Sequence, residues 1–240
     1  MNSREKGKRG ERQWRDELRA QGRLQDERMT VAATRTRDRI LEVSLALFNQ
    51  DGLAAGSTHR IAAELGISPG NLHYHFKAKQ LIVGGLFRRF EERLSACMDA
   101  AASVDALDDA WLSLHLTFEA INEYRFIYRD VDHLLNEYPE LEARAQALTA
   151  RSLLASKSLC ARLKDAGVIE ASDENVEMLA LQIVFATTCW FSFKRLTPKR
   201  GSHAHAEPAL AAYYTLTFLS PYVVGEARGY LNYLRSKYLG

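Results

Sequence analysis

Cysteine is scarce in this 240-residue chain: Cys97, Cys160 and Cys189 are odd in number, far apart and without metal-ligand spacing. That excludes a disulfide scaffold and leaves ordinary thiols of a reducing cytoplasm, with no metal site expected. Proline is equally thin, at five residues, and the fourteen glycines follow no period, so a collagen-like or wholly disordered chain is excluded. No stretch alternates apolar and polar residues between turn pairs, so no strand is expected, and there is no repeat or heptad run. A phosphate loop of the G-x-x-x-x-G-K type, an H-E-x-x-H helix and a C-x-x-C pair are all missing, and nothing favours an enzyme or a cofactor. The charged N-terminus offers no export signal. One apolar run is long, Val176 to Phe193, but Glu177, Gln182, Thr187, Thr188 and Ser192 interrupt it. A span needs about 20 mainly apolar residues, so a buried helix of a soluble protein is expected there, with no membrane partner.

What is present is ordinary in bulk and uneven in charge. With 47% hydrophobic and 26% charged residues, the chain can bury one or two cores. Residues 1–90 hold seventeen Lys and Arg against ten Asp and Glu, a net +7; residues 91–240 hold fifteen against twenty, −5, giving the total of +2. A basic front and an acidic rear point to a polyanion-binding module joined to something else. Residues 1–33 are dense in charge and lack apolar periodicity, and are expected to be a flexible basic extension.

From residue 34 the spacing turns helical. Ile40, Leu41, Ser44, Leu47 and Phe48 share one face, ended by Asp51-Gly52. A short helix capped at Ser57 or Thr58 carries Ile61, Ala62 and Leu65 inward and stops at Gly66. Ser68-Pro69 starts another, with Ser as cap and Pro at the first position, and Leu72 and Phe76 as its apolar face. A long helix over about 80–102 follows, then helical segments at about 106–122, 124–135, 139–166, 173–196 and 206–236. Two short helices joined by a Gly-containing turn have the length and punctuation of a helix-turn-helix. The second helix suits the major groove, which is about 12 Å wide. Small residues at its start, Ser68, Pro69 and Gly70, let the backbone approach, while Asn71, His73, Tyr74 and His75 face outward.

The strings DRILEVSLALFNQDG (38–52) and IAAELGISPGNLHYHFKAKQLI (61–82) resemble the opening helix and core signature of TetR/AcrR-family transcriptional regulators. His73 and Asn71 stand where that family commonly has Tyr and Thr or Ser. The stretch YRFIYRDVDHLLNEYPELEARAQAL (124–148) is similar to one C-terminal subgroup. The resemblance implies an all-α protein. It implies that residues 34–80 form an N-terminal three-helix helix-turn-helix DNA-binding domain and residues 81–240 a C-terminal helical ligand-binding and dimerisation domain. It implies a repressor, released from a palindromic operator by a small-molecule effector, working as a homodimer. An activator, a regulator without an effector, a helical interaction module and an enzyme are the alternatives.

Chemistry assigns the roles. Arg37, Ser57, Thr58, His59, Arg60, Tyr74, His75, Lys77 and Lys79 are candidates for the DNA surface, the hydroxyl and cationic groups for phosphates. Ser68, Pro69, Gly70, Asn71 and His73 are candidates for base edges, Asn being able to pair bidentately with adenine. In the rear, Trp111, His115, Phe118, Tyr128, His133 and Trp190 are pocket candidates. Leu181, Val184, Phe185, Thr188, Tyr213, Tyr214 and Phe218 are dimer-face candidates on the last two long helices, a four-helix contact. Imidazoles gain protons as pH falls through neutrality, so His59, His73 and His75 give a testable expectation. Affinity for a DNA duplex at constant ionic strength should rise from about pH 8 to about pH 6; a flat profile refutes it.

Overall fold

The computed structural model describes residues 33–103, 105–129, 131–196 and 207–239. The basic extension and the loop at Gly201 to His205 therefore lie outside the described residues, apart from position 33. The described residues are predominantly helical: α1 (33–51), α2 (Thr58–Leu65), α3 (Pro69–His75), α4 (Lys79–Ala100), α5 (Leu107–Glu123), α6 (Phe126–Arg129), α7 (Val131–Glu137), α8 (Glu142–Asp165), α9 (Asp173–Leu196), α10 (Glu207–Leu216) and α11 (Ala227–Leu239). Among the described residues the sole extended pairing is one antiparallel bridge, Ile169 to Val223.

The front helices assemble as their apolar spacing dictates. Ile40, Leu47 and Phe48 of α1, Ile61 and Ala62 of α2, and Leu72 and Phe76 around α3 are buried together. The same core continues through Ile82, Val83, Leu86, Phe87 and Phe90 of α4 into Tyr124, Phe126, Ile127, Leu134 and Tyr138. A second core joins α5, α8, α9, α10 and α11 through Phe118, Cys160, Leu163, Leu216 and Leu234.

Two expected helices divide. The segment at 124–135 becomes α6 and α7. The segment at 206–236 becomes α10, a 3-10 turn at Thr217–Leu219, and α11. The break carries Ser220-Pro221, where proline cannot continue a helix, and Gly225 at φ +58. The apolar helix α9 is long and apolar enough to cross a membrane by length and composition. It buries Val176, Leu179, Ile183 and Val184 but exposes Met178, Leu181, Phe185 and Phe193. The expectation of all-round burial is thus corrected: one face of α9 is unpartnered within the chain.

Gly56 is fixed by contact rather than by φ. A β-carbon there would stand 2.3 Å from the Phe48 ring, and that ring is fully buried at the centre of the front core. Gly56→Ala should therefore lower stability by about 1–3 kcal/mol through overpacking. Urea denaturation with an unchanged midpoint would contradict this.

Candidate nucleic-acid interface and interior cavity

Local sequence sets up the presentation of α3. Gly66 takes φ +66 and its amide donates to the carbonyls of Ala62 and Ala63, ending α2. Ser68 then caps α3, its hydroxyl accepting from the Asn71 amide at 3.2 Å, with Pro69 in the first turn. Leu72 and Phe76 are buried, so the helix cannot roll. Pro69, Gly70, Asn71, His73 and Tyr74 are left on the exposed side, and Tyr74 is 72% exposed. His75 is half-buried, its ring edge-on to Tyr74 with centroids 5.2 Å apart. A solvent-facing helix start built of small residues can approach a phosphate backbone closely.

The cations around α3 divide into two groups. Lys77 is exposed, as is His59, while Thr58 is half-buried. The Ser57 hydroxyl caps α2, accepting from the Arg60 amide at 3.2 Å. Arg60 pairs with Asp51 at 2.5 Å. Arg37 lies 4.1 Å over the Phe76 ring and donates to the His75 carbonyl at 3.0 Å, so it clamps the end of α3. Lys79 points inward: its side chain is 19% exposed, and Nζ donates to the Leu53 carbonyl at 2.7 Å. It sits 5.7 Å from the centre of the Phe48 ring, with Glu137 at 3.9 Å. Burial lowers its pKa, opposed by Glu137. The expectation of Lys79 as a phosphate ligand is corrected to a brace between the front helices and α7. Gly66-Ile67-Ser68-Pro69-Gly70 does spell G-x-S-x-G. That motif makes a nucleophile at a strand-to-helix turn, whereas Ser68 lies between two helices with its hydroxyl engaged as a cap.

Behind α4 the helices enclose two adjoining cavities. One, of about 50 Å³, lies among α4, α5, α8 and α9, bordered by Leu94, Met98, Thr117, Ser152 and Thr187. The other, of about 370 Å³, lies among α4, α6, α7 and α8, bordered by Phe87, Phe90, Leu134 and Leu153. Tyr128, Thr149 and Thr188 border both. The hydroxyls of Thr117, Thr149, Ser152 and Thr187 each donate to a carbonyl of their own helix, so their lone pairs remain for a ligand donor. Burial pushes the Tyr128 phenol up to about 12, so it stays neutral.

Of the pocket candidates, Tyr128 alone borders these cavities. Trp111 stacks on His115 at 5.1 Å, and Phe118 meets Trp190 at 5.9 Å; these four pack in or against the second core instead. His133 on α7 lies 3.0 Å from Glu137. Among the dimer-face candidates, Leu181, Phe185, Tyr214 and Phe218 are exposed, Val184 and Tyr213 are buried within the chain, and Thr188 borders the cavities. The cavity hydroxyls went unread because they come from separate helices. The available signal was the Thr149, Ser152, Ser156 stripe, at helical spacing on α8.

The sequence reading also missed a junction at Asn49. This buried amide donates to the Glu123 carbonyl at 2.7 Å and accepts from the Phe126 amide at 3.1 Å. Arg129 in turn donates to the Phe48 and Asn49 carbonyls at 3.0 and 2.9 Å. The end of α1 is thereby tied to the turn between α5 and α6.

A capped, exposed helix held by a tight turn on an apolar three-helix wedge defines a helix-turn-helix DNA-binding protein. Residues 40–90 match the sequence profile described as bacterial regulatory proteins of the tetR family, and residues 89–231 that of a bacterial transcriptional repressor, TetR. A TetR-family transcriptional regulator of Marinobacter aquaeolei VT8 superposes with a TM-score of 0.76 at 34% identity, over 85% of this chain and 98% of that one. The HTH-type transcriptional repressor KstR2 of Mycolicibacterium smegmatis is 31% identical over 115 residues, 44% of this chain and 54% of its own. The HTH-type regulator YttP of Bacillus subtilis is 30% identical over 104 residues, 40% and 50%. The chain spans about half the length of these two curated relatives. It belongs to the TetR family of bacterial transcriptional regulators.

The two lysines give a direct test. Lys77→Gln should weaken duplex binding and reduce the salt slope of log K by about one, with unchanged stability. Lys79→Gln should instead leave the slope unchanged and lower stability by about 1–3 kcal/mol, because the buried Leu53 carbonyl loses a charged donor. Equal slope changes in both would overturn the inward placement of Lys79.

Proposed function

We propose that this DNA-binding regulator is a repressor that reads a near-palindromic operator as a homodimer and is released when a small molecule enters the cavities behind α4. The observation that carries the reading is the placement of α4. Its first turns pack Ile82, Val83 and Leu86 into the DNA-reading core, while Phe87, Phe90, Leu94 and Met98 wall the cavities. A molecule that wedges those walls apart acts on the support of α3 with no intervening joint. The cavities are mostly apolar with a few hydroxyls, the usual make-up of a small-molecule site. The expected effector is therefore a largely apolar molecule bearing a hydrogen-bond donor.

Two features make α4 movable. Its polar links to neighbours are partly exposed ion pairs: Arg89 with Asp38 at 2.6 Å, Arg93 with Glu123 at 4.0 Å, Arg151 with Asp99 at 2.7 Å, and Arg144 with Glu91. Each such pair contributes about 0–1 kcal/mol, so exchanging one arrangement for another costs little. The second route is the α6 turn. Tyr128 faces the cavities, and the next residue, Arg129, grips the end of α1. Displacement of Tyr128 is passed to α1 as well as α4. A complete switch from 1:99 to 99:1 requires about 5.5 kcal/mol of differential ligand affinity.

The partner copy has a natural seat. Leu181 and Phe185 of α9, and Tyr214 and Phe218 of α10 and the 3-10 turn after it, are large, apolar and exposed. Pairing this face about a two-fold axis would set two copies of α3 on one side of the duplex. Half-sites would then lie about 34–36 Å apart or a multiple of it. Such a protein works in the cytoplasm, beside its DNA.

Sequencing of genomic fragments retained by the purified protein should return a near-palindrome. Asn71→Ala should weaken its binding by about 10- to 100-fold, the worth of one good base contact. Thr188→Trp, which fills the cavities, should preserve operator binding and abolish release by any molecule that co-purifies with the wild type. Recovery of fragments without a shared sequence, or release that survives Thr188→Trp, would overturn the reading.

A further inference from the structure

Between α10 with its 3-10 turn and α11 lies an open cleft of about 520 Å³, bordered by Tyr213, Thr217, Ser220, Arg228, Leu231, Asn232 and Arg235. Arg228, Asn232 and Arg235 are spaced by four and three residues, which places them on one face of α11. Opposite them are the hydroxyl residues of the 3-10 turn that follows α10. The Thr217 hydroxyl donates to the Tyr214 carbonyl at 2.6 Å, leaving its lone pairs outward. Tyr213 and Leu231 add an apolar floor.

The two guanidiniums have no carboxylate within 4.0 Å among the described residues, unlike Arg60, Arg89, Arg93, Arg144 and Arg151. Both residues are exposed, and Arg228 is anchored to the loop before α11. The Arg228 Nε donates to the Val223 carbonyl at 2.8 Å, which leaves the two terminal nitrogens of the fork unspent. Val223 is fully buried, and the loop carrying it is tied down on both sides. Glu170 donates to the Tyr222 carbonyl at 2.8 Å, and Val224 to the Val168 carbonyl at 3.1 Å. The fork is therefore oriented before any ligand arrives, and a planar guanidinium fork matches the geometry of carboxylate and phosphate oxygens.

We infer that this cleft is a second ligand site, for a small molecule with a carboxylate or phosphate head and a short apolar body. The head sits on the Arg228 fork with Arg235 and Asn232 as further donors, and the body lies on Tyr213 and Leu231. An anion gains charge-assisted hydrogen bonds from the fork that a neutral ligand does not. The site is chemically the opposite of the cavities behind α4, whose walls carry no charged side chain. It stands or falls independently of the proposed effector release.

Isothermal titration of the full chain with benzoate, phenyl phosphate and neutral benzyl alcohol tests it. The two anions should bind and benzyl alcohol should not. Arg235→Gln, which removes no contact within the protein, should weaken anion binding about tenfold or more. Arg228→Lys, which keeps the charge but loses the fork, should do the same. Lys237→Gln on another face of α11 and Lys77→Gln at the DNA surface should leave it unchanged. Benzyl alcohol binding as tightly as the anions, no anion binding at millimolar concentration, or anion affinity unmoved in Arg235→Gln would overturn the assignment.

Discussion

The burial of Leu72 and Phe76 is the constraint on which the rest of the molecule depends. These two side chains fix the roll and depth of α3 against Ile40, Phe48 and Ile61. Their burial decides which residues of a seven-residue helix face a duplex. A helix this short has too few internal hydrogen bonds to persist alone. It exists because its caps at Ser68 and Phe76 and its two anchors are satisfied together. Arg37 closes the arrangement by covering the Phe76 ring and taking the His75 carbonyl.

The wedge under α3 is not a closed unit. The apolar cluster that holds Phe76 extends through Phe87 and Phe90 to Phe126, Leu134 and Tyr138. Interiors are close-packed and transmit displacement rather than absorbing it. The Asn49 and Arg129 hydrogen bonds add a polar connection at the same junction, where unmade bonds would leave buried carbonyls without donors. Front and rear therefore share one core and one set of buried polar obligations. A displacement in the rear is therefore passed to what the front presents.

Much of this was legible in the sequence. The stop at Gly66, the cap at Ser68, the proline beside it and the anchor spacing from Leu72 to Phe76 are local signals, and local geometry obeys them. Helix α9 runs over 173–196 as its apolar spacing indicated. Where the reading went astray, the deciding groups were distant in sequence. Lys79 looked like a groove-wall cation, but its ammonium finds the Leu53 carbonyl and the Phe48 ring once α4 folds back on α1. The aromatic residues Trp111, His115 and Trp190 do not border the cavities behind α4; Trp111 stacks on His115, and Trp190 meets Phe118 and Tyr214.

By itself, the sequence determined the helix content, the turn chemistry and the identity of the exposed reading helix. Periodicity, caps and left-handed glycines act within a few residues. The tertiary structure alone decided where the cavities lie, which cations are spent internally, and that Arg228 and Arg235 stand together across from Thr217 and Ser220. Those outcomes depend on how separate helices pack, and packing is set by shape and buried area summed over the whole chain rather than by any one segment.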